Sequence, residues 1–293
     1  MFKIGIIGLG LMGCSLGLSL KKYISKIKIY GDDLKQKNLK YSLENQAIDY
    51  KLTETKIKNM DIIFIAVPVK NTLQVIKKIY KYLDINTIIT DLGSTKEQLI
   101  TEVNKSFPDL KFIGGHPMAG KETSGPQTAE ADLFYDKSYI IINEKNNFSA
   151  EKNILKNLLE KIGANIVFLS AATHDKLVAK TSHLPQIMAS ALISEFIKSE
   201  DNQSQVAKLV GTGFLDTTRI AASNPEIWID IFMTNKDNIV QEIDSIINSL
   251  EEFRDNLVSE NDDLIFDFLE KTKNKRVAIA KELENRDENT KEK

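Results

Sequence analysis

A histidine in a glycine-rich segment is the residue of this sequence best suited to acid–base chemistry. His116 opens the segment HPMAGKE, which follows a short apolar run ending in two glycines. An imidazole with an ordinary pKa of about 6.5 can take up a proton at neutral pH. Oxidation of an alcohol needs such a base, because the hydroxyl group loses its proton while hydride leaves the carbon. We therefore consider His116 a candidate general base, with a histidine that only ties down a loop as the structural alternative.

A second constellation has the spacing of a dinucleotide-binding turn. Gly8, Gly10 and Gly13 form a Gly-x-Gly-x-x-Gly pattern after an apolar run and before a helical pattern, the context that gives this motif its specificity. The first glycine permits a tight turn, the second lets the backbone approach a pyrophosphate, and the third lets the helix pack on the strand. The free N–H groups at the start of the helix, around Leu11 and Met12, would face the phosphates.

The nature of the nucleotide depends on an acidic residue after the second predicted strand. Asp33 lies twenty residues after Gly13, where a carboxylate can accept hydrogen bonds from a ribose 2′-hydroxyl and would repel a 2′-phosphate. This position favours NAD over NADP, although the neighbouring Lys35 and Lys37 weaken the preference. A glycine-rich turn that binds no ligand is the structural alternative.

The first half of the chain alternates short apolar runs with helical patterns. Such alternation is typical of βαβ units that build a parallel sheet with helices on both faces. His116 then falls in a loop region at the carboxyl ends of the strands, where open sheets bind ligands. The predicted strands are 3–7, 26–30, 61–67, 87–91, 112–114, 138–142 and 165–169, and the predicted helices are 11–22, 34–45, 73–82, 96–107 and 150–162.

From about residue 172 the pattern changes to helices alone. We therefore predict an α/β protein with an N-terminal Rossmann-type NAD-binding domain over residues 1–170, followed by an all-helical substrate and dimerisation domain over residues 171–293. The highly charged tail from about residue 282 is predicted to be frayed or disordered. The predicted helices of the second domain are 174–198, 236–257 and 264–271.

Composition excludes several classes of function. The 293 residues, 42% hydrophobic and 27% charged, are normal for a soluble globular protein, and the net charge of −2 argues against nucleic acid as the main partner. The single Cys14 excludes a disulfide framework, and three histidines leave little material for a zinc site, so no metal is expected. The apolar run 4–20 could be taken for a signal peptide, but glycines interrupt it and it is short for a membrane span. A cytoplasmic protein without a membrane partner is expected.

Four segments, taken in order, point to one family. The segment from His116 resembles the HPMAG-E segment of the prephenate/arogenate dehydrogenase family, which acts in tyrosine biosynthesis. Three other segments are similar to further segments of that family and follow the family's order. They are DLGSTK at 91–96, HDKLVAKTSHLP at 174–185 and GTGFLDTTRIAASNPEIW at 211–228. By motif, the resemblance covers the chain from Gly8 to about Trp228.

The resemblance implies an NAD-dependent enzyme that oxidatively decarboxylates a cyclohexadienol. Hydride passes to NAD, carbon dioxide departs and the ring becomes aromatic, so no metal is required. His116 would accept the hydrogen bond of the ring 4-hydroxyl and act as the base. Ser94 would contact the same hydroxyl and the nicotinamide end, and Arg219 would clamp a substrate carboxylate with its fixed fork of donors.

The resemblance also implies which other residues surround the substrate. His183 would line the pocket from the helical domain, Lys121 and Glu122 would sit at its mouth, and Asp216 would orient Arg219. The apolar helices after residue 173 exceed what a small domain needs for its own core. A homodimer formed by intertwined helical domains is therefore expected, as in the family.

Two departures from the family pattern leave the substrate open. Gln186 follows the SHLP segment, where family members often have a histidine, and Leu215 stands where many have a basic residue. Both changes remove positive charge near the expected place of the substrate side chain. That side chain ends in a pyruvyl group in prephenate and in an amino acid in arogenate. Prephenate is the predicted substrate, with arogenate as the alternative.

Other interpretations stay open at this point. Ser94 could be a helix N-cap, Arg219 a solvated charge and His183 a structural histidine, while His174 is interpreted as a helix-start residue outside the site. One rival function is a β-hydroxyacid dehydrogenase, which would need a lysine followed by an asparagine on the first interdomain helix. No asparagine follows at a suitable spacing. Another is a non-catalytic NAD sensor, which would not need His116, Ser94 and Arg219 together.

Overall fold

The computed structural model describes residues 1–121, 123–144, 148–198 and 207–291. Glu122, predicted at the mouth of the pocket, lies outside the described residues. The chain divides into two compact units, Met1–Ile239 and Val240–Lys293. In the described part of the chain, no helix has both the length and the apolar character needed to cross a membrane.

A six-stranded parallel sheet with strand order β3-β2-β1-β4-β5-β6 carries the first unit. Its strands are β1 Phe2–Ile7, β2 Ile27–Asp32, β3 Tyr50–Lys51, β4 Ile62–Ile65, β5 Ile88–Asp91 and β6 Phe112–Ile113. The helices of this part are α1 Leu11–Tyr23, α2 Gln36–Glu44, α3 Glu54–Ile57, α4 Val69–Ile79 and α5 Glu97–Ser106, and a 3-10 turn over Tyr80–Tyr82 follows α4. The predicted alternation of strands and helices is confirmed, and the short elements β3 and α3 are additional to it.

The register of this sheet brings the carboxyl ends of its central strands to one edge. Ile7 at the end of β1 lies opposite both Asp32 of β2 and Ile65 of β4, and Ile65 lies opposite Asp91 of β5. The loops that follow these strands therefore begin beside one another, at the edge where open parallel sheets bind ligands.

Both faces of the sheet are covered by apolar side chains. In β4, Ile62 and Phe64 pack into one hydrophobic cluster, while Ile63 and Ile65 pack into a second. This alternation follows from the two-residue period of a strand, and burial on both sides explains the uninterrupted apolar sequence. Truncation of Phe64 to alanine should cost about 3–5 kcal/mol of stability, so the sheet is a rigid base for the loops at its edge.

A second, three-stranded sheet departs from the predicted single series. It consists of β7 Gly115–Pro117, β8 Ser138–Ile142 and β9 Asn165–Leu169, with α6 Ser149–Lys161 between the last two strands. Strands β8 and β9 are parallel, but β7 pairs antiparallel with β8 and places His116 opposite Ile140. The prediction that His116 lies in a loop is therefore wrong. It lies in a short strand that begins directly after the sheet strand β6 and Gly114.

All described elements after Leu169 are helical, as predicted. The predicted single helix over 174–198 is instead α7 Ala171–Val178 and α8 Leu184–Lys198, separated by one π-helical turn over Ala179–His183. Such turns insert an extra residue into a helix and are frequent at functional sites.

The remaining helices are α9 Thr212–Thr218, α10 Pro225–Thr234, α11 Lys236–Val258 and α12 Asp262–Lys291, with a 3-10 helix over Arg219–Ala222 before α10. Helix α12 continues through Lys291, past the point near residue 282 where the sequence predicts a frayed tail. The domain boundary near residue 170 and the disorder of the tail stay predictions.

Candidate active site

The glycine motif forms a tight turn between β1 and α1. Gly8 has φ +96°, and a Cβ at this position would lie 2.4 Å from the carbonyl oxygen of Ala66. A Cβ on Gly13 would lie 1.9 Å from the carbonyl oxygen of Gly8, so the helix is packed directly on the turn. A Cβ on Gly10, in contrast, would meet no heavy atom within 4 Å. The turn is thus tightly packed at Gly8 and Gly13 and open at Gly10, where a pyrophosphate would approach. These residues fit NAD.

Asp33 lies against this same turn. Its Oδ2 accepts the backbone N–H of Leu9 at 2.7 Å, its Oδ1 accepts the N–H of Lys35 at 2.7 Å, and the side chain of Asn38 donates to Oδ2 at 3.3 Å. The carboxylate is therefore fixed beside the glycine turn. Each ionised oxygen can accept more than one hydrogen bond, so these contacts leave capacity for ribose hydroxyls.

His116 is the first member of a hydrogen-bonded series that crosses into the helical part of the chain. Its Nδ1 lies 2.8 Å from Nε2 of His174, and Nδ1 of His174 lies 2.7 Å from Oδ1 of Asp175. His174 and Asp175 are almost completely buried in α7, whereas His116 is only partly buried. The expectation that His174 lies outside the site is therefore wrong. Its ring packs edge-on against His116, with the centroids 5.0 Å apart.

Asp175 also caps the helix that follows β5. Its Oδ1 accepts the N–H of Lys96 at 2.8 Å and its Oδ2 accepts the N–H of Glu97 at 2.9 Å, the first turn of α5. Two otherwise unpaired helix donors are satisfied by a residue that is distant in sequence. The alternative role of Ser94 as this cap is therefore wrong, and Ser94 stays partly exposed in the β5–α5 loop.

A buried ion pair supports the strand that carries His116. Nζ of Lys96 pairs with Oδ2 of Asp91, and both side chains are completely buried. The other oxygen of Asp91 accepts the N–H of Gly115 at 3.2 Å, and Oδ2 also accepts the N–H of Gly93 at 2.9 Å. Removing one partner would leave an uncompensated buried charge. The pair thus ties the start of β7, and with it His116, to the end of β5.

Burial lowers the pKa values of two histidines of this region, His116 and His183. It lowers the pKa of His116 well below its ordinary value, and nearby His174 and Lys96 lower it further. Burial also lowers the pKa of His183 to about 4, against an opposing effect of Asp175. A neutral His116 at physiological pH has one ring nitrogen with a lone pair, which is what a general base requires.

His183 joins the cluster through an asparagine. Asn235 donates from Nδ2 to the backbone oxygen of Asp175 at 2.7 Å, and the same nitrogen lies 3.2 Å from Nδ1 of His183. The ring of Trp228 meets His183 edge-on at 6.1 Å. Gln186, one turn further along, is buried, and its Oε1 has no hydrogen-bond partner among the described residues. Gln186 therefore offers a buried hydrogen-bond acceptor to a donor group of a bound ligand.

Three other predicted substrate residues, Lys121, Arg219 and Asp216, lie in other segments of the chain. Lys121 donates to the backbone oxygen of Thr128 at 3.1 Å and pairs with Glu130. Arg219 begins the 3-10 helix that packs on α8, and its side chain is exposed. Asp216 is exposed on α9. The predicted roles of these side chains at the substrate stay predictions.

Sequence reasoning missed four residues of the cluster, which are Asp91, Lys96, His174 and Asp175. The available signal was the adjacent His-Asp pair at the start of a predicted helix, in a chain with only three histidines. A lysine five residues after an aspartate that ends a predicted strand was the second signal.

Comparison with known proteins covers nearly the whole chain. Residues 16–168 match the nucleotide-binding domain of prephenate dehydrogenase, and residues 170–288 match the dimerization domain of prephenate dehydrogenase. The prephenate dehydrogenase of Lactococcus lactis subsp. cremoris is 33% identical over 288 residues, which span 95% of this chain and 78% of that relative.

Solved structures agree with the sequence matches. The prephenate dehydrogenase of A. aeolicus, crystallised with hydroxyphenyl propionate and NAD+, is 31% identical with a TM-score of 0.88, covering 95% of this chain and 98% of that one. The arogenate dehydrogenase of Synechocystis is 26% identical with a TM-score of 0.84, covering 95% of this chain and 100% of that one. The similarity therefore extends to proteins named for either substrate.

Proposed function

The chain belongs to the prephenate dehydrogenase family, and from that premise we propose that it oxidatively decarboxylates prephenate to 4-hydroxyphenylpyruvate with NAD, in tyrosine biosynthesis. The observation that carries the proposal is the neutral, partly exposed His116, hydrogen-bonded to His174. A base in this state fits alcohol oxidation. Membership of the family also argues against the two rival functions, the β-hydroxyacid dehydrogenase and the NAD sensor.

The glycine turn and Asp33 would hold the cofactor. The open backbone at Gly10 and the first N–H groups of α1, at Leu11 and Met12, would bind the pyrophosphate. Asp33 would bind the ribose hydroxyls and disfavour a 2′-phosphate. NAD supplies the hydride acceptor when it is bound.

His116 would act on the ring 4-hydroxyl of the substrate. Its free ring nitrogen accepts the hydroxyl proton while hydride leaves the same carbon. The bond to the ring carboxylate then breaks, carbon dioxide leaves, and the electron pair enters the ring and makes it aromatic. The resulting phenolate takes the proton back from His116. Ser94, in the partly exposed loop after β5, would donate a hydrogen bond to the same oxygen.

Charged and polar residues of the helical part would position the substrate. Arg219 would clamp a carboxylate, since its planar fork matches two oxygens, and Asp216 would orient it. His183 would line the pocket beside His116. Lys121 would lie at the pocket mouth, and its hydrogen bond to the backbone oxygen of Thr128 holds its side chain in place.

Arogenate is the second candidate substrate, favoured by one observation. The buried Oε1 of Gln186 lacks a partner among the described residues, and an acceptor at this point suits the ammonium group of arogenate. The keto acid end of prephenate offers no such donor. Leu215, the other departure from the family, is 58% exposed, so it contributes less to this choice than Gln186 does.

Initial rates of NADH formation with prephenate and with arogenate, measured side by side, test the proposal. Faster turnover of prephenate is expected. Faster turnover of arogenate would transfer the proposal to direct formation of tyrosine, and Gln186→His should then shift the ratio back towards prephenate. No NADH from either substrate, with folded protein that binds NAD, would overturn both candidates.

We further propose that the chain forms a homodimer through its helices. Apolar side chains are exposed along α11, namely Val240, Ile247, Leu250 and Leu257. An apolar surface of this kind marks an interaction site. Light scattering after gel filtration should give twice the chain mass, and Leu250→Glu should give the mass of one chain. Ile85→Glu, at a more exposed apolar residue outside these helices, is the matched control and should leave the dimer intact.

A further inference from the structure

His174 and Asp175 are placed to fix the protonation pattern of His116. The carboxylate of Asp175 already receives two backbone N–H groups, from Lys96 at 2.8 Å and Glu97 at 2.9 Å. Backbone N–H groups can only donate, so both carboxylate oxygens act as acceptors. The third neighbour, Nδ1 of His174 at 2.7 Å from Oδ1, must then donate as well. This contact places the proton of His174 on Nδ1.

The same reasoning passes to the next ring. A neutral imidazole with a proton on Nδ1 has a lone pair on Nε2. Nε2 of His174 lies 2.8 Å from Nδ1 of His116, which must therefore be the donor. We propose that His174 and Asp175 are positioning residues that hold His116 in the tautomer with a proton on Nδ1 and a lone pair on Nε2, the nitrogen left for the substrate. The inference deepens the proposed function, since it names the atom of His116 that acts as base.

The reverse arrangement is disfavoured at every contact. A proton on Nε2 of His174 would turn the lone pair of Nδ1 towards the carboxylate of Asp175. It would also leave His116 with its proton on Nε2, where that proton would block the uptake of another from the substrate. The proton positions on the two rings are therefore coupled, and the N–H groups of Lys96 and Glu97 at the start of α5 determine which nitrogens carry the protons.

The arrangement also serves the protonated state of His116. Once Nε2 has taken the substrate proton, Nδ1 still donates to His174, and the carboxylate of Asp175 lies one ring further on. The helix dipole at the start of α5 favours negative charge at Asp175. Both His174 and Asp175 are buried, so little solvent competes for these contacts.

Nitrogen-15 NMR of histidine-labelled protein tests the tautomer directly. The chain has three histidines, so single substitutions assign every ring signal. At neutral pH, and without substrate, we expect a protonated Nδ1 and a bare Nε2 on both His116 and His174. A protonated Nε2 on His116 would overturn the inference. Because no turnover is needed, this result is independent of whether prephenate or arogenate is a substrate.

Substitutions of His174 then separate positioning from structure. His174→Leu removes the acceptor, so His116 should populate both tautomers and its protonated form should lose a hydrogen bond. Because a hydrogen bond to a charged group contributes about 1.5–3 kcal/mol, kcat should fall by about 10- to 100-fold, with the NAD affinity and KM unchanged. His174→Gln offers an amide oxygen to His116 and should restore most of kcat and the tautomer. An unchanged kcat in His174→Leu, with the tautomer of His116 retained, would overturn the inference.

Ser170→Ala is the matched control for the fold of α7. Its Oγ accepts the N–H of Thr173 at 3.2 Å and caps the helix that carries His174. The change should lower Tm without altering the tautomer or kcat. If Ser170→Ala lowers kcat as much as His174→Leu, the role of His174 is structural and the inference fails. If wild-type protein shows the expected tautomer but forms no NADH, the proposed function fails and the positioning role stands.

Discussion

The nucleotide turn and the His116 cluster lie at the same edge of the sheet but are built in opposite ways. Gly8, Gly10 and Gly13 lie within six residues, and a Cβ added to Gly8 or Gly13 would meet only this strand–turn–helix segment or the residues that follow the neighbouring strand β4. The cluster instead joins β7, α5 and α7, and His116 meets His174 across 58 positions of the chain. Local geometry therefore largely determines the proposed cofactor site, whereas tertiary contacts determine the candidate reaction centre.

This difference predicts which substitutions affect cofactor binding and which affect turnover. Changes in the glycine turn should affect cofactor binding, and at Gly8 and Gly13 they should also lower stability, because the backbone packs closely there. Changes in the cluster should affect turnover with little effect on the cofactor. The following substitutions test this contrast, in order of expected effect.

His116→Asn should have the largest effect on turnover. The amide can hold the hydrogen bond to His174 but cannot accept the substrate proton, so kcat should fall by roughly 10²–10⁴-fold. The NAD affinity, measured by titration calorimetry, should stay unchanged. Unchanged turnover would remove His116 as the base, and a matching loss of NAD affinity would contradict the separation of the two regions.

Gly13→Ala and Gly10→Ala should separate packing from ligand approach inside the turn. A Cβ on Gly13 would lie 1.9 Å from the backbone oxygen of Gly8, so stability should fall by about 1–3 kcal/mol and NAD binding should weaken. Gly10 has φ −77° and open space, so Gly10→Ala should keep its Tm yet bind NAD more weakly. Equal thermal stability of the two variants would contradict this account of the turn.

Acidification should destabilise the protein through the buried His183. The pKa of His183 is lowered to about 4 in the folded state, so the unfolded state binds the proton first as the pH falls below about 6.5. Stability is therefore complete above that pH and should fall by about 2 kcal/mol between pH 7 and pH 5 through His183 alone. Denaturant unfolding at both pH values measures it. His183→Gln should reduce the loss, and an equal loss in that variant would exclude His183 as the cause.

Asp33 should give the smallest effect, on cofactor choice. Asp33→Ala loses the acceptor of the Leu9 N–H and should weaken NAD about tenfold, the cost of roughly one hydrogen bond to a charged group. Asp33→Asn keeps an acceptor for that N–H, so it should chiefly relax the bias against NADP. Dissociation constants for both nucleotides check this. NADP binding as tight as NAD in the unmodified protein would contradict the role of Asp33.

Sequence could predict the fold because its signals are local and periodic. The strands 138–142 and 165–169 were predicted with their observed bounds, and the helical second half follows from apolar spacing alone. The strand at Gly115–Pro117 was missed because three residues carry no periodicity, and its pairing with β8 depends on contacts across the chain. The π-helical turn before α8 was missed because the helical pattern continues through it.

The candidate site could be predicted only in part for the same reason. His116 stands in a recognisable segment, but His174 looks like any residue at the start of a helix. Its role appears only when Asp175 is seen to cap α5, a helix that begins 78 positions earlier. Spacing along the chain contains no signal for a cap supplied from so far away.

The release of carbon dioxide in step with NADH tests the central claim most directly. Purified protein would be mixed with NAD and prephenate, and both products would be followed in the same reaction. The account predicts one carbon dioxide for each NADH and 4-hydroxyphenylpyruvate as the remaining product. NADH without carbon dioxide would mean that the chain oxidises an alcohol without decarboxylation, and it would contradict the proposed reaction.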